Sequence, residues 1–370
     1  MKTLITILRW LVGGLFIFSG LIKVNDPVGT SIKLHEYFDI FAVDFASFFK
    51  AFVPYTLPLA VFLVVFEVAL GVAVLVKFRM RITMWILLLM ILFFTFLTGY
   101  SHVTGNVTDC GCFGDAIPLT PYQSFIKDII LTVMIVVLFI YRNRFLPAFG
   151  RQRMTAVVTG VATIISLWIS IAAIRHLPFI DFRPYKVGVN IPENMKQQAP
   201  ARYLYIMERN GETFEFEDYP TDTTYKYVDY KEIEPAIPAK ITDYGFWIGE
   251  GADLQDMTQS TFEGVQMLCI AVELDNADGE GLKEFGEMAK EFERLGVFSV
   301  LITSSDVATT ETYRHEYQIA TPYYFGDHTL LKAIIRGNPG IVLMKDGTVL
   351  GKWHYNDFDA AREDIPELIR

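Results

Sequence analysis

GYSHVTGNVTDCGCFGDAIPLTP, residues 99–121, is a polar, glycine-rich loop set between two apolar runs, and its reading decides the architecture. It holds Cys110 and Cys112, two of only three cysteines in 370 residues. With Gly111 alone between them, the two thiols can bond to each other. The ring so closed is small and strained, and a strained, exposed disulfide tends to be oxidising and labile rather than structural. As a staple it would add little, because a bond spanning one residue closes almost no loop. A metal site built on Cys110, Cys112 and His102 lacks ligands, since tetrahedral sites usually use a second, separated pair.

Outward from this loop the composition is that of a membrane protein. Hydrophobic residues make up 52% of the chain and charged residues 20%, and the mean hydropathy is positive. The net charge of −10 conceals an asymmetry: residues 1–180 carry 14 Lys and Arg against 8 Asp and Glu, whereas residues 181–370 carry 18 against 34. A basic membrane half thus precedes an acidic half. An acidic half argues against a nucleic-acid partner, which would require a basic face. Three cysteines are too few for a disulfide framework. Walker, G-x-G-x-x-G, H-E-x-x-H and G-x-S-x-G signatures do not occur in a context that would give them meaning.

Apolar runs at 4–22, 56–76, 82–99, 122–141 and 155–174 approach the ~20 residues that a bilayer demands. The first lacks an A-x-A-like cleavage site and is followed by further spans, so it reads as an uncleaved helix. Lys127 and Asp128 weaken the fourth. Lys77, Arg79 and Arg81 follow the second run, and Arg142, Arg144, Arg151 and Arg153 follow the fourth, while 100–121 contains no Lys or Arg. By the positive-inside rule the N-terminus is cytoplasmic, and both the CGC loop and the acidic half lie on the other side. Residues 31–53 are amphipathic and Phe-rich. They suit a helix in the outer interface or one packed over the mouth of the bundle.

Two further residues stand out. Glu67, in VVFEVALG, is a carboxylate well inside a predicted span. Burying it charged is costly, so it is neutral or paired. Its role is a proton relay or cofactor contact, or else a structural hydrogen bond across helices. His102 precedes the CGC loop and can serve as a base for a thiolate, or be merely solvated.

FSGLIKVNDPVG at 18–29, the glutamate of FEVALG and DCGCFGD at 109–115 together resemble the DoxX and MauE-type integral membrane proteins. The resemblance covers about residues 1–145 and implies a four-helix membrane bundle in which Cys110 and Cys112 are the redox pair. The MauE branch is associated with disulfide formation in an exported dehydrogenase subunit, and the DoxX branch with quinone-linked sulfur oxidation. A quinone is therefore implied as the acceptor, with Glu67 and His102 as candidate contacts. The chain departs from that pattern by a fifth span, over 146–180, which delivers the remaining chain to the CGC side.

Residues 181–250 read as a linker with a small β element, in which Asn210-Gly211 before ETFEF marks a hairpin turn. From 251 to 370 strands and helices alternate: GVQMLCIAVE, an amphipathic helix from 279, VFSVLIT, a helix over 306–318, HTLLKAIIR, then two strands joined through Asp346-Gly347. This order resembles an α/β thioredoxin-like domain. The resemblance implies a cis peptide bond before Pro339 and a peptide-docking groove beside it. The position of a thioredoxin CxxC reads ELDNADGEGL, without cysteine. Cys269 falls within a strand, as a small buried hydrophobe.

Two functions follow as expectations. One is a membrane thiol–disulfide redox protein in a bacterial inner membrane, passing electrons from periplasmic clients through Cys110 and Cys112 to a quinone. The other is a non-enzymatic, membrane-anchored subunit of an envelope complex, with the thioredoxin-like domain binding a protein partner.

Overall fold

The computed structural model describes residues 2–107, 113–145, 152–249 and 251–370. Cys110 and Cys112 lie outside the described residues. The chain divides into two compact units, Met1–Arg183 and Pro184–Arg370.

The first unit is helical: α1 (Lys2–Asn25), α2 (Pro27–Asp44), a 3-10 run (Ser47–Tyr55), α3 (Thr56–Val76), α4 (Met80–Thr104), α5 (Pro121–Ile140) and α6 (Gln152–Arg175). Five of these, α1 and α3–α6, are long and apolar enough to cross a membrane. Their positions match the five apolar runs to within a few residues. Val12, Phe16, Leu70, Val74, Met84, Leu87, Ile135 and Leu138 from α1, α3, α4 and α5 form one buried cluster, the core of a four-helix bundle. Helix α6 packs outside it, against α3. Its inward stripe is small, with Ser166, Ser170 and Ala173 buried, which lets apolar helices approach without an aqueous hydrophobic drive.

Local sequence sets the helix ends. Asp26 caps α2 by accepting from Gly29 N–H, with Pro27 in the first turn, and Thr120 with Gln123 forms a capping box on α5 behind Pro121. The amphipathic segment predicted at 31–53 is divided. Helix α2 buries Leu34, Tyr37 and Phe41 on the bundle, with Tyr37 Oη 2.7 Å from Ser101 Oγ. The 3-10 run that follows exposes Phe48 and Phe52.

The second unit contains α7 (Ile191–Asn194), β1 (Arg202–Arg209), β2 (Glu212–Phe216), β3 (Lys226–Glu234), β4 (Phe246–Ile248), β5 (Gln255–Asp256), β6 (Val265–Ile270), α8 (Gly279–Glu293), β7 (Phe298–Thr303), α9 (Val307–Glu316), β8 (Tyr323–Gly326), α10 (His328–Ile334), β9 (Gly340–Lys345), β10 (Thr348–His354) and α11 (Phe358–Leu368). Strands β2-β1-β3 form a separate antiparallel sheet, and the other seven form a sheet of order β10-β9-β6-β7-β8-β4-β5. Within the larger sheet β6, β7 and β8 are parallel while β9 and β10 are antiparallel. The path β6-α8-β7 followed by the β9–β10 hairpin and α11 is the thioredoxin-like arrangement. Its core interleaves Leu282, Phe285 and Phe292 of α8 with Leu301, Ile341, Leu343 and Phe358.

The boundary placed at 250/251 from sequence falls inside this larger sheet. Strand β4 pairs with β8 through Phe246 and Trp247. Residues just after the membrane unit belong to it too: Gly188 N–H donates to Val349 O and Ile191 N–H to Gly347 O. What read as a linker is therefore partly the rim of the thioredoxin-like domain, with the small sheet set between two of its pieces. The expected hairpin turn is at Asn210 and Gly211, both with positive φ.

Candidate functional site

The membrane site begins with glycines. A Cβ on Gly71 would lie 2.9 Å from Gly13 O and 2.9 Å from Ile17 N, and one on Gly20 would lie 2.6 Å from Val68 Cγ2. Helices α1 and α3 therefore touch backbone to backbone. That approach brings Lys23, one turn beyond Gly20, against Glu67. Lys23 Nζ stands 2.9 Å from Glu67 Oε2, with the side chains 10% and 5% exposed. The ammonium also lies 5.1 Å from the centre of the Phe94 ring. Glu67 is thus paired rather than alone.

A second polar group stands on α4 and α5. Asp128, read from sequence only as a weakness in the fourth span, is 1% exposed. It accepts from Lys127 Nζ at 2.9 Å and from Thr98 Oγ1 at 3.1 Å. Lys127 Nζ is 5.0 Å from the centre of the Phe113 ring, which packs 5.8 Å from Phe18. Phe113 directly follows Cys112 in the chain, so the described flank of the CGC pair rests on α1 and α5. At the same end Asn25 bonds both Ile180 O (2.8 Å) and Ile180 N–H (3.0 Å), pinning the exit from α6. Three polar residues of FSGLIKVNDPVG thereby acquire distinct roles. Lys23 pairs with Glu67, Asn25 holds the exit and Asp26 caps α2.

His102 is exposed in the last turn of α4, its ring 5.3 Å from Tyr122 and 6.1 Å from Phe125. It does not share Glu67's partner. Sequence reasoning missed Lys23 and undervalued Asp128. The available signal was the Gly20-x-x-Lys23 spacing, which puts a small contact residue and a cation on one helix face.

In the thioredoxin-like domain the Asn338–Pro339 bond is cis. The first turn of α8 faces it: a Cβ on Gly281 would lie 3.1 Å from Pro339 Cγ. Asp278 N–H donates to Asn338 O, and the Asp278 carboxylate caps α8 by accepting from Gly281 N–H. Asp278-Gly279-Glu280-Gly281 thus occupies the place of a CxxC. Cys269 is completely buried in β6, and burial pushes its thiol well above the ordinary range. At the C-terminal end of β6, Glu273 accepts from His328 Nε2 at 2.9 Å and from Asn276 Nδ2 at 2.7 Å. Burial alone would raise the Glu273 carboxyl, but the Asn276 hydrogen bond and His328 hold it below its ordinary value. Burial lowers the nearby Lys332 ammonium.

The fold and these residues define a five-span helical membrane unit carrying a thioredoxin-like domain without its dithiol. Residues 1–141 match the family described as methylamine utilisation protein MauE, and residues 201–234 match a domain of unknown function (DUF8463). Protein TlpB of Flavobacterium psychrophilum is 32% identical over 160 residues, which is 42% of this chain and 38% of that protein. The match thus spans well under half the length of that curated relative. Among solved structures, a cysteine-to-serine mutant of Xanthomonas campestris peroxiredoxin Q is 12% identical with a TM-score of 0.26, over 32% of this chain and 89% of that one. The bacterioferritin comigratory protein of the same organism is 13% identical with a TM-score of 0.27, over 35% and 93%.

Proposed function

We propose that the protein is a membrane thiol–disulfide redox protein that takes electrons from client thiols through Cys110 and Cys112. The observation that supports this most is the Lys23–Glu67 ion pair, buried in an apolar bundle at the end where Phe113 is anchored. Charged groups inside a span are costly and mark pathways for ions, protons or polar ligands.

In the reaction, a client thiolate attacks the Cys110–Cys112 disulfide and forms a mixed disulfide. The client's second thiol then closes the client disulfide, leaving Cys110 and Cys112 as thiols. Two electrons and two protons must leave for the pair to reform. A quinone bound in the bundle would supply that two-electron, two-proton sink. The donor set fits such a head group: Lys23 Nζ would hold a carbonyl oxygen by hydrogen bonding, beside the apolar Phe94 ring, and Glu67 Oε1 would hold a proton. His102, exposed at the loop end of α4, would take a thiol proton. In this reading the bundle sits in a bacterial inner membrane with the N-terminus cytoplasmic, and the thioredoxin-like domain meets periplasmic or exported clients. Pro339, facing α8, would line the docking groove.

A second reading is supported by the sequence Asp278-Gly279-Glu280-Gly281 at the head of α8, which cannot exchange disulfides. The chain would then be a membrane-anchored binding subunit of an envelope complex. One experiment separates the two. Cells are acid-quenched, free thiols are labelled with a mass-tagged maleimide, and wild type is compared with Cys110→Ser and with quinone-depleted cells. A pair that is mostly oxidised and becomes reduced on quinone depletion supports the redox reading. A pair that keeps one state whatever the quinone supply supports the binding subunit.

A further inference from the structure

The small sheet over residues 201–234 has one face built of aromatic rings. Across the ladder Tyr205 stands opposite both Phe216 and Tyr230, and Met207 opposite Phe214 and Tyr227. Tyr205 and Met207, like Phe214 and Phe216, are two apart and share a side; Tyr227 and Tyr230 are three apart and reach that side through the register shift opposite Ile206 and Met207. Met207 beneath them is 1% exposed, whereas Tyr227 is 48% and Tyr230 55% exposed. The rings form a continuous surface: Tyr203 lies 5.3 Å from Tyr230, Tyr205 5.3 Å from Tyr219 and Phe216 5.0 Å from Tyr225. All nine residues of β3 are exposed. So many exposed rings cost solvation without stabilising a core, and contiguous apolar patches of this kind mark interaction sites.

Charge selects the partner. Residues 201–234 hold nine Asp and Glu against four Lys and Arg. The face already binds one cation of its own: the Arg209 guanidinium lies 5.2 Å from the centre of the Tyr225 ring, with Asp222 Oδ2 3.8 Å from Nη1. A ring face with a carboxylate beside it is a guanidinium seat. Tyr230 and Tyr227, with Glu232 opposite Tyr203 on the same side, offer the same combination with no cation of the described residues seated on either ring. Tyr227 feels this crowding, its hydroxyl held above the ordinary value by desolvation first and then by Asp229 and its neighbouring tyrosines.

We propose that this sheet face is a docking surface for an extended, arginine-bearing segment of a partner protein. The contacts are cation–π on the tyrosine rings, reinforced by the acidic rim.

The test uses the full chain purified in detergent and two fluorescent dodecapeptides, one alternating Arg and Thr, the other alternating Glu and Thr. Binding is read by anisotropy for wild type, for Tyr227→Ala/Tyr230→Ala and for Tyr227→Phe/Tyr230→Phe. None of these variants changes net charge, so diffuse attraction to an acidic protein is constant across them. The expected result is binding of the Arg peptide, weakened about five-fold or more by the Ala pair and kept within about two-fold by the Phe pair. The Phe pair keeps the ring faces and controls for loosening of the sheet. Equal affinity in all three proteins, equal loss in both variants, or preference for the Glu peptide would overturn the proposal. Binding of an N-acetylglucosamine oligosaccharide in place of the Arg peptide would overturn it equally, and would assign the rings to a glycan.

Discussion

The membrane bundle and the thioredoxin-like domain treat polar groups in opposite ways. In the bundle Lys23, Glu67 and Asp128 are each at most 9% exposed; Lys23 and Glu67 pair across helices, and Asp128 meets Lys127 of its own helix and Thr98 of α4. In the thioredoxin-like domain the central cluster is hydrocarbon and sulfur apart from the Trp353 indole N–H, which donates to Asp364, and its Glu273–His328 pair sits at the surface with side chains 47% and 41% exposed. Replacing a buried ion pair by apolar residues of similar size is often neutral or stabilising. Stability alone therefore gives the bundle no reason to keep Lys23 and Glu67. The thioredoxin-like domain has taken the opposite course: its one cysteine is buried and inert, and it carries no dithiol at the head of α8. The contrast is the physical ground for the proposed division, with chemistry in the bundle and recognition in the other domain.

The largest effect should come from breaking the bundle's pair on one side. Lys23→Met leaves Glu67 buried without its cation and is expected to destabilise by ~3–5 kcal/mol, read as a loss of thermal stability in detergent. The double variant Lys23→Met/Glu67→Leu should recover most of that stability while abolishing any redox cycling of Cys110 and Cys112. A double variant that cycles normally would remove the pair from the chemistry and erase the contrast.

A smaller loss, ~1–3 kcal/mol, is expected from Gly71→Val. Its new side chain meets Gly13 O and Ile17 N, backbone atoms that cannot swing away. Separation of α1 from α3 should also weaken the Lys23–Glu67 contact. Gly14, whose Cβ would meet nothing within 4 Å, should accept alanine with no measurable change in melting temperature.

Much of this was legible before the structure. The five spans are long apolar runs, and such signals survive without tertiary information. The strands and helices from 264 onward alternate in pattern, so the thioredoxin-like order could be read directly. Glu67 was visible because a carboxylate in a span is conspicuous, but its partner was not. Lys23 sits near the end of an apolar run, where a lysine ordinarily reads as a flank, and only the close approach at Gly20 and Gly71 turns it inward. Asp128 was hidden in the same way beside Lys127. Strands β4 and β5 are three and two residues long, too short to carry a period. Strand β3, KYVDYKEIE, is exposed throughout, so neither face imposes the apolar alternation that sequence reading needs.

In the thioredoxin-like domain the same kind of test should give modest effects. Asp278→Ala removes the cap on α8, where the carboxylate accepts from Gly281 N–H at 2.9 Å, and is expected to cost ~1 kcal/mol. The loss should appear as faster amide exchange in the first turn of α8. Because Asp278 N–H donates to Asn338 O, fraying there should also loosen the segment before Pro339 and, in the proposed reading, weaken client docking. A variant with unchanged exchange but impaired docking would show that Asp278 touches the client itself.

The smallest effect is electrostatic and has a definite sign. Glu273 is held below its ordinary carboxyl value of 4.5 in the folded domain. A group depressed on folding adds stability above its unfolded value and loses it as pH falls through the folded one. The domain should therefore lose stability as the pH drops below about 4.5. Because the pair is nearly half exposed, solvent screening keeps the contribution under about 1 kcal/mol. Asn276→Ala removes the leading stabiliser of the charged form, so its melting temperature should fall less steeply over the same acid range than that of wild type. Added salt should flatten the acid response of both proteins by screening His328, while leaving the difference between them, which rests on the Asn276 hydrogen bond, in place. A buried pair such as Lys23–Glu67 is screened much less, so an equal salt response in both domains would contradict the partition of charge on which the contrast rests.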